Sequence, residues 1–333
     1  MMRLLLLILL LSITTARSAF TQKLTVNVAH STSLAEALSN GRSEISPHQF
    51  ITAGVHSKGY LFAVKPTGES VRWELTSGSI ESIPLSKVGF EQTAPLFVST
   101  GSESSLLVII PKLFPNSGEF PIGIVRQVGP DGSVADLYQT QDGWIQAAGV
   151  SEDGVLIGLS IADRKRDNQS ENIVLVIDRF GNELGEFSLG SETQAIRFTQ
   201  TLSHVILYSQ SRVGVFDLKS GERVAGTSIR SGIQYATYIP EDNTILAVGQ
   251  KTVTLVHVEN REIASVEIPA SEQLSSSEGS VMESGTSYQS QRKVFLSDRF
   301  IPIQQPVRLR RVEKGEYEVT GLFGRILQIS GRF

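Results

Sequence analysis

A short hairpin unit that recurs along the chain restricts the possible folds more than any other feature of the sequence. Each copy has a brief apolar run, a polar turn, and a second run in which polar and apolar residues alternate. The turn ends in Gly in five copies and in Asn in one, and these residue types adopt a positive φ at little cost. We therefore predict six β-hairpins, each closed by a type I turn followed by a positive-φ residue. The six predicted turn residues are Gly68, Gly132, Gly181, Gly221, Asn260 and Gly315.

The distance between successive turns indicates how many strands each unit holds. Neighbouring turn residues are separated by 64, 49, 40, 39 and 55 positions. A propeller blade occupies about 40–50 residues, whereas the strands of a simple sandwich recur about every 8–12 residues. The sequence therefore predicts an all-β protein, a β-propeller of four-stranded antiparallel blades, with six blades as the leading count and seven as the alternative.

Individual strands can be delimited between Trp144 and Ile268. The middle strands of each unit are apolar on both faces, as expected for a sheet covered by neighbouring sheets. The outer strands mix polar and apolar residues, as an edge must. The predicted strands are Ile145–Val150, Val155–Ile161, Ile173–Ile177, Glu183–Leu189, Ala195–Thr199, Val205–Ser209, Val213–Asp217, Val224–Ile229, Tyr235–Ile239, Thr244–Val248, Val253–Val258 and Ile263–Ile268.

Segments near both chain ends are predicted to close the ring of sheets. Lys23–Val28 and Arg325–Ile329 both alternate in polarity as strands do. If these two segments share one blade, residues 19–333 form a single closed domain. One short helix is predicted, Leu34–Asn40, preceded by a capping box.

Residues 1–18 are typical of a secretory signal peptide. Arg3 supplies a positive charge ahead of the apolar run Leu4–Ile13, and small residues precede the expected cleavage point after Ser18 or Ala19. The alternative, an uncleaved membrane anchor, needs an apolar run of about 18 residues or more. We therefore expect a secreted or periplasmic protein with no membrane span after signal removal.

The composition of the remaining chain excludes several function classes. Removal of Arg3 and Arg17 with the signal leaves 28 basic against 34 acidic residues, a net charge of −6. This balance argues against nucleic acid as a partner, because nucleic-acid binding needs a basic surface. The chain has no Cys, which excludes disulfides, thiol catalysis and cysteine-ligated metals. Stability must then come from packing, and we expect a monomer.

One part of the chain carries three motifs in close succession. They are Gly59-Tyr60-Leu61-Phe62-Ala63-Val64, Thr67-Gly68-Glu69 and Val71-Arg72-Trp73. Together they resemble the quinoprotein-type propeller repeat, and residues 48–330 as a whole look similar to the quinoprotein-like and WD-like propeller superfamily. The resemblance implies that Trp73 docks between adjacent blades. It implies no cofactor, because nothing matches the calcium or quinone ligands of quinone-dependent dehydrogenases, and it favours a non-enzymatic docking platform.

Motifs of catalysis and cofactor binding are absent from the sequence. There is no G-x-G-x-x-G or G-x-x-x-x-G-K loop, no G-x-S-x-G elbow, and no pair of histidines with H-x-x-x-H spacing. Ser290-Gln291-Arg292-Lys293 matches S-x-x-K without its companion motifs, and we interpret it as a coincidence. We predict no catalytic residue, no cofactor and no metal ligand.

A loop spanning residues 163–171 has the densest charge in the chain, and it is a candidate contact for a partner. Its basic residues are Arg164, Lys165 and Arg166. They stand where a calcium loop needs acids, which argues against ion binding. The segment is either a solvated extension of a hairpin or a partner contact on one face of the propeller.

Three further segments leave alternatives open. Phe114 and Phe120 are costly to expose, so their Pro-rich segment either packs over a blade or presents an apolar contact surface. Ser271–Ser290 is rich in serine, and we expect a flexible loop there. Arg308 and Arg310 share one face of an alternating strand and are predicted to meet acids on a neighbouring blade, the alternative being an anionic ligand.

The leading functional hypothesis is a secreted or periplasmic β-propeller that acts as a non-catalytic binding or scaffold module for a protein or glycan. The alternative is an extracytoplasmic hydrolase or lyase with its active site in the central funnel. Acids and histidines on the innermost strands would be the signature of such an enzyme.

Overall fold

The computed structural model describes the following stretches of the chain, and every structural statement below concerns them. They are residues 24–30, 52–56, 60–64, 70–74, 80–83, 97–102, 105–113, 122–128, 133–140, 143–151, 153–166, 169–230, 232–249, 251–270, 306–321 and 325–331.

The described residues form six antiparallel sheets of four strands each. Sheet 1 contains β2 (Thr52–His56), β3 (Tyr60–Val64), β4 (Ser70–Glu74) and β5 (Ile80–Ile83). Sheet 2 contains β6 (Phe97–Ser102), β7 (Ser105–Leu113), β8 (Ile122–Val128) and β9 (Val134–Gln139). Sheet 3 contains β10 (Trp144–Val150), β11 (Leu156–Arg166), β12 (Gln169–Asp178) and β13 (Glu183–Phe187).

The remaining three sheets complete the described fold. Sheet 4 contains β14 (Ala195–Phe198), β15 (His204–Tyr208), β16 (Arg212–Asp217) and β17 (Arg223–Ser228). Sheet 5 contains β18 (Ile233–Ile239), a 3-10 turn (Pro240–Asp242), β19 (Thr244–Gly249), β20 (Thr252–His257) and β21 (Ile263–Glu267). Sheet 6 contains β22 (Pro306–Glu313), β23 (Glu316–Gly321), β24 (Arg325–Ser330) and the N-terminal β1 (Thr25–His30).

The hydrophobic core lies between neighbouring sheets. Val174 and Phe187 of sheet 3 pack with Val205 and Phe216 of sheet 4, and the two phenylalanine rings meet edge to face with centroids 5.7 Å apart. Equivalent clusters join sheets 2 and 3, sheets 4 and 5, and sheets 5 and 6. The middle strands of sheets 3, 4 and 5 are buried on both faces for this reason, whereas the outer strand β21 alternates between exposed and half-buried positions.

Neighbouring sheets contact one another in chain order, and their first strands lie close together. The strand β10 contacts β14 of the next sheet and β6 of the preceding one. Gly149 of β10 is so close to β14 that an added Cβ would lie 2.1 Å from the main-chain oxygen of Ile196. Four-stranded antiparallel sheets packed face to face, with their first strands innermost, define a β-propeller, and each sheet is one blade. The blade number of the complete chain stays a prediction.

The two chain ends pair within blade 6. The strand β1 runs antiparallel to β24, with Thr25 opposite Ser330 and Val28 opposite Leu327. This confirms the pairing predicted from the alternating end segments. The single closed domain over residues 19–333 stays a prediction.

The six predicted hairpins fall one in each blade, but they are not equivalent. The turns at Gly181 and Gly221 join the third and fourth strands of their blades, whereas Gly315 joins the first two strands of blade 6. Gly68 stands between the second and third strands of blade 1, and Gly132 between the third and fourth of blade 2; both residues lie outside the described part. The interpretation of one repeated hairpin is therefore corrected, because glycine marks a tight turn without specifying which pair of strands it joins.

The positive φ predicted for the turn residues is confirmed at Gly181 (85°), Gly221 (76°) and Gly315 (76°). The prediction is wrong for Asn260, because Arg261 is the residue with positive φ, at 56°.

The hydrogen bonds of the β20–β21 turn explain the correction. The His257 N–H donates to the Glu262 carbonyl, as the Asp217 N–H does to the Glu222 carbonyl in the previous blade. The two turns therefore have equal length, and Arg261 occupies the position of Gly221. Asn260 instead accepts hydrogen bonds on its Oδ1 from the Glu262 N–H, at 3.0 Å, and contacts His257 Nδ1, at 3.0 Å.

The charged segment predicted as a loop is mostly strand. β11 continues to Arg166 and β12 starts at Gln169, with Arg164 opposite Glu171 in the register. The loop assignment is wrong because cross-strand pairing continues past the apolar part of the blade, where polarity alone suggested that the strand had ended.

Other predicted segments lie outside the described residues, namely the signal segment 1–18, the helix Leu34–Asn40 and the serine-rich segment Ser271–Ser290. Among the residues that are described, none belongs to a helix long and apolar enough to cross a membrane.

Candidate binding face

The topology gives the propeller two distinct faces. Four antiparallel strands return the chain to the end of the blade at which it started, so the links between consecutive blades lie on one face. These links include residues 188–194 and 229–232, and we call this end the connector face. The opposite end carries the turns at Gly181, Gly221, Arg261 and Gly315, and we call it the turn face.

A β-ribbon formed by β11 and β12 extends past its blade on the connector face. The flanking strand β10 starts at Trp144, opposite Ala162, and the flanking strand β13 ends at Phe187, opposite Val174. Beyond those positions, Arg164 to Arg166 pair with Glu171 to Gln169 and with no other described strand. Within the described part of the chain, no strand flanks this ribbon on either side, and the ribbon includes the three basic residues singled out as partner contacts.

Two further candidate segments are joined to the same face. β7 ends at Leu113 and β8 begins at Ile122, directly opposite it and at the connector face of blade 2. Phe114 and Phe120 fall between these strands and lie outside the described residues. Ser271–Ser290 falls between β21 and β22, whose facing ends also lie on the connector face. Blades 2 and 3 are neighbours. The link between β7 and β8 and the β11–β12 ribbon are therefore joined to the same side of the molecule.

An open cavity of about 460 Å³ lies on the connector face of blade 4. Its walls are the link from blade 3 and the turn between β15 and β16, and they carry one acid, Glu192, and one base, Arg212. The remaining lining residues are glycine, serine and glutamine. Ser191 contributes a buried Oγ that has no hydrogen-bond partner. Such a lining suits a polar ligand better than an apolar one.

The innermost strands carry almost no acid or histidine. Across β2, β6, β10, β14, β18 and β22, the only such residues are His56 and Glu313, each at a strand end. No group of three or more His, Cys, Asp or Glu side chains in the described part could hold a metal ion.

His204 of blade 4 has a packing role. The His204 ring meets the Tyr238 ring edge to face at 5.1 Å between centroids, and its Nδ1 lies 2.8 Å from Ser203 Oγ. Burial lowers the pKa of His204, against an opposing effect of Asp217. The neutral ring is therefore favoured at the interface of blades 4 and 5.

The predicted contact with a neighbouring blade is wrong for Arg310, and the side chain of Arg308 lies outside the described part. The arginine that meets an acid of the neighbouring blade is Arg311, which pairs with Asp242 at 2.7 Å. Arg310 pairs at 2.6 Å with Glu318 on the adjacent strand of its own blade. Trp73 lies in β4 between Leu61 and Ile80 in the register, and its docking between blades stays a prediction.

One residue of interest was not identified from the sequence. Arg197 lies on the innermost strand of blade 4, half-buried, with its guanidinium carbon 4.3 Å from the centre of the Tyr235 ring. The available signal was a single basic residue within the otherwise apolar strand Ala195–Phe198.

The four-stranded blades follow one another in chain order, which makes this protein a β-propeller. Its connector face carries a projecting ribbon and a polar cavity, and it is the candidate binding face. No known family model matches the sequence, and no curated protein matches it.

Several solved structures are similar in fold. A computationally designed protein, Ika8, is 12% identical with a TM-score of 0.47, over 85% of this chain and 83% of its own. YCF48 bound to D1 peptide is 11% identical with a TM-score of 0.48, over 85% and 78%. A complex of KlAtg21 with the coiled-coil of AgAtg16 gives 14% identity and a TM-score of 0.49, over 65% and 70%.

Proposed function

We propose that this protein is a non-catalytic binding or scaffold module of the secreted or periplasmic space, which holds a protein or glycan partner on its connector face. The β11–β12 ribbon carries the proposal. It extends from the face at which two other candidate segments leave the fold, and it carries Arg164, Lys165 and Arg166.

The physical chemistry of the ribbon supports a contact role. A two-stranded ribbon with no sheet on either side gains little from packing and is only marginally stable by itself. A partner strand can add to such a ribbon by pairing with main-chain donors and acceptors along its edges. Six of the nine residues from Asp163 to Glu171 are charged, so the ribbon also offers electrostatic complementarity, which mainly sets specificity and association rate.

The chemistry of the innermost strands supports binding over catalysis. A hydrolase or lyase in the central funnel needs converging acids, bases or a metal. His56 and Glu313 stand at the ends of strands in different blades. The described innermost strands therefore do not provide a converging pair of acidic or basic side chains.

The proposal also includes export of the protein from the cytoplasm and its membership of a narrower family of propellers. The signal peptide at residues 1–18 would direct the chain out of the cytoplasm, and the motifs ending at Trp73 would make it a quinoprotein-like or WD-like propeller. The mature protein would then act as a monomer, with no cofactor and no nucleic acid.

The test is capture of partners by matched charge variants. The mature protein, residues 19–333, is immobilised and exposed to an envelope fraction and, separately, to a glycan array. We expect wild-type protein to retain a partner saturably. Replacing Arg164, Lys165 and Arg166 together by Gln should weaken retention about tenfold, because interface charges control association.

The control removes the same charge from the turn face. Lys219, Arg261 and Lys314 are exposed there, and their joint replacement by Gln should leave retention within about twofold of wild type. Equal behaviour of the two triple variants would contradict the proposed face. Turnover in a glycosidase and esterase screen would contradict the non-catalytic role.

A further inference from the structure

Arg197 bridges the innermost strands of two blades. It lies on β14 of blade 4, and its guanidinium carbon stands 4.3 Å from the centre of the Tyr235 ring on β18 of blade 5. Its Nε donates to the Tyr208 hydroxyl at 3.5 Å. Arg197 is half-buried as a residue, so part of its surface remains exposed to solvent.

The positive charge of Arg197 has no acidic partner among the described residues. Its electrostatic neighbours are two tyrosines, Tyr208 and Tyr235, and burial raises the pKa of Tyr235. Other arginines near blade interfaces or edges pair with acids, as Arg311 does with Asp242 and Arg126 with Asp136. A cation–π contact offsets only part of the cost of removing a guanidinium from water. Arg197 therefore retains a strong tendency to bind an anion.

The position of Arg197 connects it to the connector face. Tyr208 is the last residue of β15, and the next residue, Ser209, lines the open cavity. The Gln194 N–H donates to the Tyr208 carbonyl at 3.0 Å, and Gln194 also lines the cavity. The contacts of Arg197 are thus made with residues at the connector-face end of blades 4 and 5.

A second unsatisfied group belongs to the neighbouring blade. The register shifts between Ile233 and Tyr235, which places Gln234 in a β-bulge, and bulges redirect side chains. The Gln234 carbonyl accepts a hydrogen bond from the Tyr208 hydroxyl at 3.5 Å, while its side-chain Oε1 is buried with no hydrogen-bond partner. The Tyr208 hydroxyl therefore links Arg197 to the main chain of Gln234, whose side chain carries an acceptor without a donor.

We propose that Arg197 and Gln234 form a receptor for a carboxylate that carries an adjacent hydrogen-bond donor and is presented by a polypeptide. The carboxylate pairs with the guanidinium, whose planar donors match its two oxygens, and the donor pairs with Gln234 Oε1. The inference rests on the proposed function, because it uses the same face for the partner.

The chemistry favours a polypeptide over an acidic sugar. A C-terminal residue carries a carboxylate and its own amide N–H close together, and so does an internal Asp or Glu. A uronic acid would instead need a free aromatic face to stack on. The guanidinium of Arg197 already covers one face of the Tyr235 ring.

The test is titration of the mature protein, followed by NMR at constant ionic strength, with four probes. They are acetyl-Gly-Ala with a free carboxylate, the same peptide amidated, acetyl-glutamic acid amide, and glucuronic acid. We expect saturable binding of the first and third probes and none of the amidated peptide. The tighter of the two binding probes identifies a C-terminal or a side-chain carboxylate as the source.

Two variants separate the site from general charge. Arg197→Gln should weaken carboxylate binding by at least about tenfold, because a charge-assisted bidentate pair is lost. Arg230→Gln removes the same charge from an exposed residue of the connector face and should change carboxylate binding by less than about twofold. Arg197→Lys, which keeps the charge, should bind several-fold more weakly and shows the effect even if the Gln variant folds poorly.

Several outcomes would overturn the inference. They are no binding of any probe, equal binding of the amidated peptide, tighter binding of glucuronic acid, or equal losses in the two Gln variants. The proposed function is tested separately, because its outcome is read from the triple variant of the ribbon and not from the variants of Arg197.

Discussion

Asp242 accepts two hydrogen bonds from Arg311 across the interface of blades 5 and 6, at 2.9 Å from Nε and 2.7 Å from Nη2. The Tyr317 hydroxyl donates to the same carboxylate at 2.9 Å, and the Gly315 N–H at 3.4 Å. The Asp242 side chain is only 3% exposed. These contacts fix the first hairpin of blade 6, the blade that unites both chain ends, to its neighbour.

Replacing Asp242 by Asn should destabilise the protein by about 2–4 kcal/mol, because the buried carboxylate that accepts hydrogen bonds from Arg311 and Tyr317 would be lost. Chemical denaturation at neutral pH measures the difference. Glu318→Gln is the matched control, since it breaks the pair with Arg310, which is 60% exposed. That change should cost about 0–1 kcal/mol. Equal losses in both variants would contradict a special role for Asp242.

The contribution of Asp242 should depend on pH in one direction. Burial raises the pKa of the Asp242 carboxyl, but hydrogen bonds from Arg311, Tyr317 and Gly315 outweigh it and hold the pKa below its usual value. A carboxyl with a depressed folded-state pKa stabilises the fold above its unfolded pKa, about 3.9, and loses this effect as pH falls through the folded value.

The stability gap between wild type and Asp242→Asn should therefore be constant above about pH 5 and shrink below about pH 4. Denaturation curves recorded across this range provide the measurement. A gap that stays unchanged as the pH falls below about 4, where the carboxyl of the unfolded chain becomes protonated, would show that its charge is not involved.

The β20–β21 turn gives two substitutions with opposite expected signs. Arg261→Gly should stabilise by about 0.5–1 kcal/mol, because glycine tolerates the positive φ that Arg261 adopts. Asn260→Gly should destabilise by about 1 kcal/mol, because the Glu262 N–H and His257 lose the Oδ1 partner. Thermal unfolding compares both with wild type. Stabilisation by Asn260→Gly would restore the assignment made from the sequence.

The close approach of blades 3 and 4 makes Gly149 intolerant of a side chain. Gly149→Ala should cost about 3 kcal/mol or more, since its Cβ would collide with the main chain at Ile196. Gly232→Ala is the control, because nothing lies within 4 Å of its added Cβ and only its positive φ opposes the change. That variant should lose about 1 kcal/mol. Unfolding of both in denaturant distinguishes contact from backbone strain.

Removal of residues 1–30 should destabilise blade 6. The deletion exposes the edge of β24 and removes Leu24 and Val26 from the cluster that contains Leu327 and Ile329. We expect a lower unfolding midpoint and a tendency to aggregate, since an open edge pairs with other chains. Asn27→Ala, at an exposed position of the same strand, should behave as wild type. An unchanged midpoint in the truncated protein would show that β1 is dispensable.

The sequence predicted the strands of blades 4 and 5 well because their signals are local. The strand predicted as Val213–Asp217 is observed as Arg212–Asp217, and Thr244–Val248 as Thr244–Gly249. Short apolar runs bounded by tight turns leave few alternatives for the backbone. A hairpin extension was one of two alternatives for the charged segment, but the ends of β11 and β12 were placed too close to the core, because charged residues obscure a strand whose pairing continues beyond it.

Contacts between blades could not be predicted in detail, because they join residues far apart in sequence. Arg311 and Asp242 are 69 positions apart, and alternation along one strand had favoured Arg308 and Arg310. Arg197 and Gln234 likewise come from different blades. A single sequence gives the face of a strand on which a residue lies, but not its partner across an interface.

The most direct test of the connector face is site-specific photo-crosslinking. A photoreactive residue replaces Lys165 in the ribbon in one protein and Lys219 of the turn face in another, and each is exposed to the same envelope fraction. The account predicts a discrete adduct from position 165 and none from position 219. An adduct from position 219 alone, or from neither position, would contradict binding through the connector face.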